Sequence, residues 1–115
     1  MTDEQINKAV AGLLGWGDWW QDKQSGMWWG SMPNPHIEDD KMPLPDYCTD
    51  PAAWAGLFIE IKARGLVPAI AAFYEENAYM ATINVGHDGA CYIASDALPG
   101  RALALAALKA YGAEG

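Results

Sequence analysis

The stretch Tyr79-Met-Ala-Thr-Ile-Asn-Val85 decides the class of this fold. Tyr79, Ala81, Ile83 and Val85 alternate with Met80, Thr82 and Asn84, the period of two that a strand with one buried face requires. On its N-terminal side, Val67 to Tyr74 is short, apolar and closed by aromatics, with Pro68 near the start, where a missing N–H is tolerated. On its C-terminal side, Ala90 to Ser95, with Tyr92 and Ile93, reads as a third strand. Glu75-Glu-Asn77 and Gly86-His-Asp-Gly89 have the composition of turns. Three strands joined in this way predict an antiparallel meander.

Outward from the meander the period changes to that of helices. Thr49-Asp-Pro51 is a helix start, a side-chain cap followed by a proline in the first turn. Trp54, Leu57, Phe58 and Ile61 then fall on one stripe until Gly65, which predicts a helix over 51–64. After the strands, residues 96–99 open a last helix in which Leu98, Ala102, Leu105 and Leu108 share a face widened by Leu103, and Gly112 closes it. Near the other end, Thr2 with Gln5 forms a capping box ahead of Ile6, Val10, Leu13 and Leu14, giving a helix over 3–15.

Between these helices, residues 16–46 hold five of the six tryptophans among glycines, prolines, Ser and Asp. That density predicts irregular chain, with 32–45 as an extended loop and Met27-Trp-Trp29 as a short strand at most. The expectation is one α+β domain over 1–115, in the order helix, long Trp/Pro-rich loop, helix, three strands, helix. One face of its three-stranded antiparallel sheet must be covered by helices.

Composition narrows the function classes. The chain has 115 residues, 51% of them hydrophobic, enough for one core and too apolar for disorder. Fifteen acidic residues against seven basic give a net charge of -8, which disfavours binding to a phosphate backbone. Cys48 and Cys91 lack metal-ligand spacing and read as reduced thiols of a cytoplasmic protein. No apolar run reaches the ~18 residues of a membrane span.

Three motifs carry a family resemblance. Leu13-Leu-Gly-Trp16 ends the first helix, Pro45-Asp-Tyr-Cys-Thr-Asp50 leads into a Trp-bearing helix, and Arg101-Ala-Leu-Ala-Leu-Ala-Ala-Leu-Lys-Ala-Tyr-Gly112 forms the last. Together they resemble the phage ABA-sandwich domain family over most of the chain, with the Trp-rich insert matching less well. The resemblance implies a bacteriophage or prophage protein in the host bacterial cytoplasm, with strands sandwiched by helices, and implies no activity. The order from 51 to 112 also resembles a double-stranded-RNA-binding domain, but Arg101 and Lys109 do not make the lysine cluster that duplex contacts need.

No catalytic constellation stands out. His87-Asp88 has no serine nucleophile motif beside it, and His36 with Glu38, Asp39 and Asp40 lacks calcium-loop spacing and reads as a solvated face. No phosphate loop or dinucleotide fingerprint occurs, so neither cofactor nor metal is expected. Trp16 and Trp54 suit core roles, whereas Trp19, Trp20, Trp28 and Trp29 are harder to bury. Adjacent residues of a strand point to opposite faces, so Trp28 and Trp29 cannot share one core if extended. Tyr47, Thr49 and Asp50 precede a helix N-terminus that is either an anion site or simply capped by them. Arg101 sits against its helix dipole, a sign that something else holds it. These eight residues compose the expected site. The leading expectation is a non-enzymatic phage protein that sequesters a nucleotide-derived immune signal in an aromatic pocket. The alternative is a homo-oligomeric or partner-binding accessory protein that uses exposed tryptophans, with no nucleic-acid or membrane partner in either case.

Overall fold

The structure, a computed structural model, describes residues 1–31, 41–73, 77–85 and 90–114. In chain order the elements are α1 (Asp3–Leu13), β1 (Gly17–Gln21), β2 (Trp28–Ser31), β3 (Lys41–Pro43), α2 (Pro51–Ala63), β4 (Val67–Phe73), β5 (Ala78–Val85), β6 (Ala90–Asp96) and α3 (Pro99–Glu114). The class is α+β, with three helices and two antiparallel sheets of three strands each among the described residues.

Local chemistry sets the helix starts. Thr2 Oγ1 accepts from the Gln5 amide at 3.2 Å while the Gln5 side chain accepts from the Thr2 amide at 2.9 Å, closing the capping box of α1. The Asp50 carboxylate accepts from the Ala52 amide at 3.1 Å, and Pro51 occupies the first turn of α2. Gly65, at a φ of +86°, turns the chain out of α2 into β4.

The meander β4-β5-β6 is antiparallel, as its turns and alternation predict. Pro68, Ile83 and Tyr92 form one row and Ile70, Ala81 and Ala94 the next, on the face where β5 and β6 pack against α3 and β4 against α2. Ala81, Ile83 and Ala94 are buried there. The alternate rows, Val67-Asn84-Cys91, Ala69-Thr82-Ile93 and Ala71-Met80-Ser95, point the other way, where Val67 is 58% and Ile93 47% exposed. Among the described residues the helices therefore cover one face of this sheet, as the element order requires, whereas the sandwich implied by the family resemblance would cover both.

The reason lies in α3. Its buried positions Ala102, Leu103, Ala104, Ala106, Ala107 and Ala110 sweep roughly 200° around the axis at about 100° per residue. Such a helix is enclosed on more than one side. It packs on β5 and β6 and also on α1 and α2, and five alanines let these neighbours come close. The middle layer is a helix rather than a sheet.

The Trp/Pro-rich segment departs further from expectation. Instead of irregular chain it supplies β1-β2-β3, paired antiparallel with Trp20 opposite Trp29, Gln21 opposite Trp28, and Trp29 opposite Pro43. The polar residues that suggested a loop form a tight turn. Asp22 accepts from the Gln24 amide at 3.1 Å and the Ser25 hydroxyl at 2.9 Å, its own amide donates to Met27 O, and Gly26 takes a φ of +73°. Asp18, at a φ of +53°, sits in a bulge between Gly17 and Trp20. Most of the loop expected at 32–45, together with His36, Glu38, Asp39, Asp40, the Glu75-Glu76 part of one turn and the His87-Asp88 turn, lies outside the described residues. Among the described residues, no helix is long and apolar enough to cross a membrane.

Candidate functional site

Strand alternation sorts the tryptophans of the hairpin onto two faces. Trp19 lies over Gly30, stacks on Trp16 at 6.0 Å between centroids with 7° between planes, and packs against the core. Trp28 turns to α1, where its indole N–H donates to Glu4 Oε1 at 2.8 Å and Lys8 Nζ stands 3.5 Å from the ring centroid. Trp20 and Trp29 occupy the opposite face, stacked at 6.3 Å and 12°. Trp20 remains 45% exposed and Trp29 is half-buried. Trp28 and Trp29 thus face different ways, as adjacency in a strand demands.

The turn before α2 is occupied by its own chemistry. Tyr47 is buried, and burial, followed by the charge of Glu60, pushes its phenol up to about 12. Thr49 gives both its amide, at 3.2 Å, and its hydroxyl to the Asp46 carboxylate, which also accepts from Asn7 Nδ2 at 3.2 Å. Burial raises the pKa of Asp46, but these bonds together with the Cys48 amide outweigh it and hold the carboxyl below its ordinary value. Asp50 caps α2. Of the three, Asp50 alone caps the helix, Thr49 is held by Asp46 and Tyr47 belongs to the core.

Arg101 is likewise engaged. Its guanidinium donates to Asp96 Oδ2 at 2.5 Å, Asp3 Oδ1 at 3.0 Å and the Met1 carbonyl at 2.9 Å. Two carboxylates, not the helix dipole, hold this cation. The eight residues expected to form one site are therefore divided among the two faces of the hairpin, the cap of α2 and the start of α3. Among the described residues, no group of three or more His, Cys, Asp or Glu is placed to hold a metal ion.

Two shallow grooves flank α2. One, of about 440 Å³, is lined by Trp16, Pro45, Tyr47, Gly56 and Glu60 among others, and takes in just one of the eight residues. The second, of about 630 Å³, is walled by Trp54, Phe58, Ile59, Ile70, Tyr79 and Pro99, and takes in none. Ile59 is 67% exposed and had a sequence signal, since it lies off the stripe of Trp54, Leu57, Phe58 and Ile61. Comparison with protein-family models, curated proteins and solved structures returns no match for this chain.

Proposed function

We propose that the protein is a non-enzymatic interaction protein, an accessory protein of the phage class its motifs resemble, which docks a basic segment of a partner protein on the Trp20–Trp29 pair. The observation that carries this reading is the parallel indole pair held on the outward face of a hairpin, with Trp20 45% exposed. Tryptophan is among the residues that dominate binding energy at protein interfaces. A net charge of -8 draws cationic partners, and indole faces attract Lys and Arg. The same chemistry already operates inside the chain, where Lys8 stands over Trp28.

A nucleobase is the second occupant that a flat, parallel ring pair favours. Its phosphates would meet an acidic protein whose Arg101 is already paired with Asp3 and Asp96. The two readings separate in one titration. Tryptophan emission is followed against short peptides of alternating Arg and Leu, and against a panel of cyclic dinucleotides. Peptides are expected to quench in a salt-sensitive way, and Trp20→Ala, with an unchanged far-UV spectrum, to weaken binding at least ~10-fold, about 1.4 kcal/mol. Tight quenching by a dinucleotide with no response to basic peptides would refute the interaction reading in favour of signal sequestration.

A further inference from the structure

The outward face of the β4-β5-β6 sheet is a second surface, remote in sequence from the tryptophan hairpin. Its rows run from Val67 and Ala69 on β4 across Thr82 to Cys91 and Ile93 on β6. None of the nine positions in these three rows carries a charge, although 15 acidic and seven basic residues are distributed over the chain. Two of its apolar residues, Val67 and Ile93, are open to solvent at 58% and 47%. Alanine, serine and threonine between them keep the relief low. Solvent-facing sheet surfaces ordinarily alternate to polar residues, which this one does only at Thr82, Asn84 and Ser95.

We infer that this face pairs with the same face of a second copy of the chain, forming a two-fold, sheet-on-sheet dimer. Charge selects the occupant. Two molecules that each carry -8 repel wherever their acidic surfaces meet, so self-association needs a face without charge, and this is one. A cationic partner would gain its attraction from the acidic remainder of the surface and nothing from a neutral sheet. A two-fold contact also sets each row against its own copy, and a flat row of small and β-branched residues is compatible with sheets packed about 10 Å apart. Seven residues at about 3.3 Å along three strands at about 4.8 Å make a face of roughly 300 Å² in projection, smaller than the ~800 Å² per partner of a standard interface. The dimer is accordingly weak, and it strengthens as salt screens the repulsion of the two acidic bodies.

Sedimentation velocity tests this from ~10 μM to ~1 mM protein, in low and in ~0.5 M salt. The expected result is a shift from monomer toward dimer with concentration and with salt. Ile93→Asp and Thr82→Arg, each with a native far-UV spectrum, should remain monomeric, while Trp20→Ala should dimerise like the parent. Cys91 gives an independent readout, because it is exposed on this face while Cys48 is buried with its thiol pushed up to about 12. An uncharged thiol reagent should modify Cys91 more slowly as the dimer fraction rises. A chain that stays monomeric at ~1 mM in high salt, or Ile93→Asp and Thr82→Arg chains that dimerise like the parent, would overturn the inference. Dimers lost on Trp20→Ala but kept on Ile93→Asp would overturn it equally, and would move the contact to the hairpin.

Discussion

Gly30→Ala is a small change that the hairpin should resist. A Cβ at Gly30 would lie 2.4 Å from Cζ3 and 2.6 Å from Cε3 of Trp19. Carbon atoms in contact prefer about 3.5–4.0 Å, so the indole must withdraw by roughly 1 Å. Trp19 cannot withdraw freely, since it is stacked on Trp16 and both rings pack against the core. Overpacking of this kind costs about 1–3 kcal/mol, while replacing a strand glycine by alanine returns about 0.5–1 kcal/mol of backbone entropy. The net expectation is a loss of about 1–2 kcal/mol in the unfolding transition of the hairpin itself. Tryptophan emission is the suitable probe, because five of the six tryptophans lie between Trp16 and Trp29. The clash is pairwise, so in a Trp19→Ala background the same substitution should cost almost nothing. A Gly30→Ala chain as stable as the parent, or one equally destabilised with and without Trp19, would refute the packing described for this sheet.

Other consequences are simpler to read. Gly56, inside α2, has no atom within 4 Å of a Cβ built on it, so Gly56→Ala should raise stability by about 0.5–1 kcal/mol in thermal or urea unfolding. Asp46 has a depressed folded pKa, so its contribution is complete above its unfolded value of about 3.9 and is lost as pH falls through the lower folded value. Stability measured from pH 2 to 6 should therefore fall less steeply on the acid side for Asp46→Asn than for the parent. Burial first, then the charges of Asp3 and Asp46, push the Cys48 thiol up to about 12. A chromogenic thiol reagent at pH 8 should thus titrate Cys91 promptly and Cys48 only after denaturant is added.

The parts of the fold legible in the sequence were those written in neighbouring residues. Thr2 and Gln5 cap each other, Asp50 and Pro51 start α2, and the alternation through Tyr79, Ala81 and Ile83 fixes which face of β5 is buried. The opposed directions of Trp28 and Trp29 were legible for the same reason, since they follow from the pleat once the segment is extended. Arg101 was legible as a residue in need of partners, but not which ones, because Asp3 lies 98 positions away. Beyond the short strand at Met27-Trp-Trp29, the small sheet was not legible. Its strands are three to five residues long and contain Gly17, Gly30 and Pro43, all residues that argue locally against a strand. Gly30 is there because Trp19 covers it, a relation between strands that periodicity cannot report. The enclosure of α3 escaped for a similar reason. A helix rich in alanine, such as α3, reads as a weakly apolar surface helix until its neighbours on β5, β6, α1 and α2 are known.

The tryptophan hairpin also sets how the molecule comes apart. β1, β2 and β3 pair mainly with one another, and their named ties to the rest are the Trp16–Trp19 packing and the contacts of Trp28 with Glu4 and Lys8. Such a unit can open while the centre formed by α3, β5 and β6 stays closed, with its own lower free energy of opening. Indole emission then follows the hairpin, whereas far-UV circular dichroism follows the helices. Their unfolding transitions should part, emission first, so a single midpoint from either probe would misstate the cooperativity of this small domain.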